Sequence, residues 1–179
     1  MKYALPDLER RWRALPGTVP GAAQVLPAEG RLIEDHYLDG TRMRLRRVTD
    51  PDGTITLKLT KKYAPAAATK AAPATPHAST NLYLDEAEYA LLATLPGKPL
   101  RKRRHHREHA GVRYAIDVFE GALAGLVLTE VECADEAALA AVVPPPWAGA
   151  EVSDDPAFTG AALARSDATT LARILADAP

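Results

Sequence analysis

Basic side chains recur in one phase of a two-residue repeat in three stretches of this 179-residue chain: Arg42, Arg44 and Arg46; Lys58 and Lys62, with Thr56 and Thr60 between and beside them; and Lys102, Arg104 and His106. Carboxylates do the same at Asp7 and Glu9 and at Glu130 and Glu132, while Asp117 shares its phase with Arg113. The spacing matters because side chains of an extended strand alternate between two faces. Three arginines on one face of a free strand would repel one another. They suit a polyanion, since a guanidinium offers a rigid fork of donors that matches phosphate. Carboxylate strands facing the same space suit a hard divalent cation, which takes oxygen ligands.

Strands must position these groups. Extended segments are expected over 5–13, 31–38, 41–49, 54–62, 81–84, 100–107, 112–119 and 124–133. Asp50-Pro51-Asp52-Gly53 separates two β-rich runs and predicts a hairpin. Ala110-Gly111 and Glu120-Gly121 sit at similar joints. Four helices are expected. Asp85 caps 86–95, with Glu88 completing a capping box. Asp135 caps 136–142, which the run Pro144-Pro145-Pro146 stops. Asp155-Pro156 opens a third, because proline is tolerated at the first helical position. Asp167 caps 168–177, with Leu171, Ile174 and Leu175 on one face. Residues 64–80, rich in Ala, Pro and Thr, read as a flexible loop inside a single domain, 1–179.

Strand after strand has one ionised face and one apolar face. A sandwich with a solvated outer face would intersperse both signs along each strand. A membrane barrel would need aromatic girdles and long even strands. A sheet that binds nucleic acid has little use for Glu130 and Glu132. A closed soluble barrel, charged inside and covered outside by helices, accounts for all of these strands. The fold class expected is α+β, with a closed antiparallel barrel.

Composition fits that reading. Hydrophobic residues are 47% and charged residues 25%, which is ordinary for a globular chain. The formal net charge of −1 hides a split: residues 1–113 hold 20 basic and 12 acidic side chains, and residues 114–179 hold 2 and 11. Cys133 is the only cysteine, which excludes an internal disulfide and a thiolate zinc site and fits a reducing cytoplasm. The N-terminal MKYALPDLERRWRAL has no apolar run of signal-peptide length, and no stretch approaches the roughly 20 apolar residues of a membrane helix. The run RKRRHHR, 101–107, invites a nucleic-acid reading. In a strand only alternate members share a face, so Arg101, Arg103 and Arg107 are expected to point outward, toward acidic residues of a covering helix or a partner. His105, His106 and His109 are read as solvated residues about a turn, and Trp12 and Trp147 as outer packing.

The order of these motifs resembles the CYTH superfamily, also called the triphosphate tunnel metalloenzymes, over roughly residues 5–165. Asp7-Leu8-Glu9-Arg10-Arg11 matches the family's Glu-x-Glu-x-Lys, Arg44-Leu45-Arg46 its Arg-x-Arg, and Thr56-Leu57-Lys58 its Thr-x-Lys. Lys102-Arg103-Arg104 matches its Lys-x-Arg, and Asp117-Val118-Phe119-Glu120-Gly121 its Asp-Val-Phe-x-Gly. Glu130-Val131-Glu132 matches the later Glu-x-Glu, and residues 144–158 resemble the C-terminal signature. The chain departs from the family at Arg11, where lysine is usual, and at Asp7. It also departs at His77, Ser79 and Asn81, which stand where many members have Arg-x-Glu-x-Glu, and in 158–162, which lack a late basic residue.

The resemblance implies an eight-stranded antiparallel barrel with helices packed outside, Mg²⁺ or Mn²⁺, and a small-molecule substrate bearing a triphosphate. Hydrolysis of inorganic tripolyphosphate to pyrophosphate and phosphate is the activity expected from it. An organic triphosphatase, a class IV-type adenylate cyclase and a non-catalytic binder of a phosphorylated ligand are the alternatives. Arg42, Arg44, Arg46, Lys58, Lys102 and Arg104 would hold phosphates. Asp7, Glu9, Asp117, Glu130 and Glu132 would serve the metal, and Glu9, Arg11, Lys58 and Asp117 the reaction. Neither a membrane nor nucleic acid is the expected partner, and a homodimer is left open.

Overall fold

The computed structural model describes residues 5–6, 8–15, 19, 30–63 and 78–176. Asp7, His77, most of the Ala/Pro/Thr-rich segment and the end of the last helix expected lie outside the described residues. Ten strands form one antiparallel sheet: β1 (Leu5–Pro6), β2 (Glu9–Ala14), β3 (Arg31–Leu38), β4 (Met43–Thr49), β5 (Ile55–Lys62), β6 (Ala78–Tyr83), β7 (Gly97–His109), β8 (Val112–Phe119), β9 (Val127–Glu132) and β10 (Ala148–Glu151). Across the sheet they run β1-β6-β5-β4-β3-β7-β8-β9-β2-β10. The helices are α1 (Glu86–Ala93), α2 (Glu136–Ala140), α3 (Gly160–Leu163) and α4 (Ala168–Ala176). None among the described residues is long and apolar enough to cross a membrane.

Local chemistry explains most boundaries. At the β4–β5 hairpin, the Asp50 N–H donates to the Thr54 carbonyl at 2.9 Å, and Gly53 adopts φ +87°. At the β7–β8 hairpin, both turn residues, Ala110 and Gly111, have positive φ, as a two-residue turn matched to strand twist requires. The capping box of Asp85 and Glu88 forms as expected. Asp155 caps a single 3-10 turn, Pro156–Phe158, after which Thr159 caps α3. β7 runs on through His109, so the three histidines lie within a strand and not about a turn. His105 packs on its outer side, with its ring against Gly30.

The ladder corrects one expectation. Among the described residues it is not a closed eight-stranded barrel but an open run of ten strands ending at β1 and β10. The first strand expected, 5–13, is divided. Leu5 and Pro6 pair with Ser79 and Ala78 of β6, while Glu9–Arg13 pair with β9. Pro6 has no N–H to extend a ladder. Pro6 and Glu9 are nonetheless joined by chain that spans at most about 11 Å. The sheet must therefore curl until β6 and β9 approach one another. β10, which the sequence reading left out, adds beyond β2.

Cross-strand partners share a face, and the registers sort the side chains in two. On the inner face of the curl stand Asp35, Arg44, Arg46, Lys58, Lys102, Arg104, Asp117, Glu130, Glu9 and Arg11. The outer face of β2, β8 and β9 carries Trp12, Tyr114, Ile116 and Val131, which pack with Val19, Val142 and Trp147. Both tryptophans are thus outer packing, as expected. The helices are not all outside, however. Leu100, Phe119 and Leu128 continue the inner face at one end, and they cluster there with Val152, Phe158, Leu163 of α3 and Leu171 of α4. The C-terminal helices therefore pack against one end of the curl and do not sheath it.

The β3–β7 register pairs Ile33 with Lys102 and Asp35 with Leu100, which puts Asp35 diagonal to Lys102 on one face, and a close approach of backbone supports it. Gly97 pairs with Leu38, and a Cβ at Gly97 would lie 2.5 Å from the Tyr37 carbonyl oxygen. Gly97→Ala is expected to destabilise the fold by about 1–3 kcal/mol through overpacking, measured by urea unfolding.

Candidate functional site

One ion-pair network spans four strands on the inner face. Asp117 of β8 is fully buried. It accepts from Arg104 Nε at Oδ1 and from Arg104 Nη2 at Oδ2, both at 2.7 Å, and from Lys102 Nζ. Arg104 also donates to Glu130 at 2.6 Å. Arg11 joins Glu130 at 2.7 Å to Glu9 at 2.7 Å, and its third nitrogen reaches the Phe158 carbonyl at 2.9 Å. Burial alone would raise the Glu130 carboxyl, but Lys102, Arg11 and Arg104 outweigh it and hold the group well below the usual carboxylate range. Burial likewise opposes charge on Arg104, and Asp117 more than restores it, so its pKa is raised. For Lys102 burial prevails over Asp117 and Glu130, and its pKa falls.

The second centre is Asp35 of β3, a residue that sequence reasoning missed. Arg46 grips it in a fork, Nε at 2.6 Å and Nη2 at 2.7 Å, with Arg44 Nε at 3.5 Å. Burial pushes the Asp35 pKa up, but Arg46 and Arg44 overcome it and hold it down to about 2. Asp35 escaped notice because its face of β3 also carries Ile33 and Tyr37, so no single-sign pattern marks it. A carboxylate with a depressed pKa stabilises the fold above its unfolded value, and the contribution is lost as pH falls through the folded value. The stability difference between the native protein and Asp35→Asn is therefore expected to shrink by about 2 kcal/mol as pH drops from about 5 to 2. Guanidinium unfolding at each pH measures it.

Lys58 lies directly across from Arg46 on β5. Among the described residues it has no hydrogen bond or ion pair. Burial lowers its pKa first, and the charges of Arg46 and Arg44 lower it further. On β6, Ser79 and Asn81 share this inner face, opposite Lys62 and Thr60. Asn81 Oδ1 accepts from Thr60 Oγ1 at 2.7 Å, so this rung is neutral. Arg42, expected at the site, is exposed ahead of β4. Arg101 and Arg103 point outward to Glu120, the former at 2.6 Å and the latter at 2.9 Å.

The structure separates the carboxylates expected to serve a metal. Asp117 and Glu130 each have both oxygens engaged by cations. Glu132 is exposed at the mouth and directly opposite Glu9, and both line a cavity of about 180 Å³ with Glu130. Among the described residues no group of three His, Cys, Asp or Glu could hold a metal ion. Mg²⁺ commonly uses only one or two carboxylates, with substrate phosphates and water completing its shell. The Glu9–Glu132 pair fits that mode. Asp7 lies outside the described residues.

A curled antiparallel sheet that sets Arg11, Arg44, Arg46, Lys58, Lys102 and Arg104 among the carboxylates Glu9, Asp35, Asp117, Glu130 and Glu132 on its inner side defines a tunnel-type fold lined with charge. No protein-family model matches the chain. It is similar to an inorganic triphosphatase of Nitrosomonas europaea, 36% identical over 87 residues, which is 48% of this chain and 58% of that protein. It superposes on the crystal structure of the inorganic triphosphatase NE1496 with a TM-score of 0.54 and 24% identity, covering 92% of this chain and 97% of that one. A proposed adenylate cyclase of Bacillus halodurans shares the fold at 15% identity, with a TM-score of 0.50 over 76% of this chain and 85% of that one. The chain shares its fold with these two proteins.

Proposed function

We propose that this protein is a metal-dependent phosphoric anhydride hydrolase that cleaves inorganic tripolyphosphate to pyrophosphate and phosphate. The observation that carries the reading is Lys58, a half-buried ammonium with no anionic partner among the described residues and two arginines beside it. A protein gains nothing in stability from such crowding, whereas a bound phosphate chain would relieve it. Similarity to an inorganic triphosphatase supports the substrate.

Arg44, Arg46, Lys58, Lys102 and Arg104 bind and orient the chain, and they stabilise charge on the transferring phosphoryl group. Asp35, Asp117 and Glu130 hold those cations in place and act as positioning residues. Glu9 and Glu132 would hold Mg²⁺ or Mn²⁺, which would supply charge neutralisation to the phosphates. Water attacks the terminal phosphorus in line with the departing pyrophosphate oxygen.

Purified protein given tripolyphosphate and Mg²⁺ or Mn²⁺ is expected to release phosphate, and chelation is expected to stop it. No release from neutral to alkaline pH would overturn the reading. The neutral Thr60–Asn81 rung favours a second one, a tunnel that binds a phosphorylated ligand without cleaving it. Tight calorimetric binding without turnover would establish that reading. ATP yielding a cyclic product would instead identify a cyclase.

A further inference from the structure

We infer that the mouth of the curl holds a fourth phosphate, so that the protein recognises condensed phosphate chains longer than three units. This rests on the triphosphate reading above. Two cavities, of about 310 and 180 Å³, meet there along Arg104, His106 and Arg113. The larger is roughly ten times a water's share of liquid volume, ample for a phosphate. Arg31 and Arg107 complete its basic wall, and Asp50 is its one acidic residue. Asp50 is already paired to Arg31 Nε at 2.5 Å.

Arg113 has no hydrogen bond or ion pair among the described residues, and it is exposed to the cavity's solvent. At His106 the charges of three arginines outweigh that of Asp117. Burial lowers the His106 pKa, and Arg113, Arg104 and Arg31 lower it further. Arg104 belongs both to the interior network and to both cavities, and it pairs across the ladder with Arg31. An anion chain held at Arg104 therefore has the larger cavity as its next station. No Phe, Tyr or Trp lines either cavity, so nothing there offers a stacking surface for a nucleobase. Glu9 and Glu132, on the smaller cavity, face the proposed metal position, which leaves the larger one for the added phosphate.

Calorimetry with tripolyphosphate, linear tetrapolyphosphate and inorganic phosphate tests this, with metal chelated and again with Mg²⁺ supplied. The native protein is expected to bind tetrapolyphosphate about 10-fold more tightly than tripolyphosphate, as one added charged hydrogen bond allows. Arg113→Ala is expected to erase that gain while changing tripolyphosphate affinity less than about 2-fold, and Arg113→Lys to recover part of it. Equal affinities for the two chains in the native protein would overturn the inference and leave the tunnel reading standing. So would an equal loss for both in Arg113→Ala. Phosphate binding at the mouth beside tripolyphosphate, without a chain-length effect, would assign the cavity to free phosphate and overturn the chain-length claim. Failure to bind tripolyphosphate under either condition would overturn the tunnel reading and this inference with it.

Discussion

Replacing Lys58 with methionine is expected to lower tripolyphosphate turnover by about 100-fold and to leave the melting temperature unchanged or slightly higher. The functional loss follows from removing one preorganised cation from a developing phosphoryl charge, where a single donor is commonly worth that much. The stability expectation follows from the structure. Lys58 stands across the ladder from Arg46, with Arg44 close enough to depress its pKa further. The nearest carboxylate, Asp35, is already gripped by Arg46 at 2.6 and 2.7 Å. Methionine keeps the chain length and the buried methylenes while removing the repulsion from Arg46 and Arg44, and the unliganded protein loses only the weaker attraction to Asp35. Kinetics and thermal unfolding on the same preparation measure both. A melting temperature several degrees lower would make Lys58 a structural rung of a charge ladder.

Asp117→Asn is expected to do the opposite, destabilising the unliganded fold by about 3–5 kcal/mol, the range for breaking a buried ion pair. The amide is nearly isosteric, so the effect isolates charge. Both carboxylate oxygens accept from Arg104, one also from Lys102, and the group has no exposure at all. Without it Lys102 and Arg104 face each other in a buried space, with Glu130 as the remaining anion. Urea unfolding with and without tripolyphosphate tests the account. The ligand is expected to restore a larger share of stability to the variant than to the native protein. A loss under about 1 kcal/mol, together with altered metal dependence, would return Asp117 to the role of a metal ligand.

The two substitutions mark how far the sequence was legible. Arg44, Arg46, Lys58, Lys102, Arg104, Asp117, Glu130 and Glu9 share one face because alternation along a strand is a local property, readable from spacing. The hairpins at Gly53 and Ala110-Gly111, and the cap at Asp85, were legible for the same reason. Asp35 was not, because its neighbours in phase are Ile33 and Tyr37. Ser79 and Asn81 could be placed opposite Lys62 and Thr60 only once the β5–β6 register was known.

By itself the sequence determined which side chains of each strand share a face and that this face is ionised, which is what prompts the proposed phosphate-binding chemistry. Tertiary structure alone decided which charges cancel. Asp35 neutralises Arg46, Asp117 locks Lys102 to Arg104, and Arg11 clamps Glu9 and Glu130 in place of acting as a free ligand. Lys58 and Arg113 are left without anionic partners among the described residues. The physical reason is range. A face is set by the period of one strand, whereas compensation between buried charges depends on cross-strand register and on a curl that brings residues more than a hundred positions apart within hydrogen-bond reach.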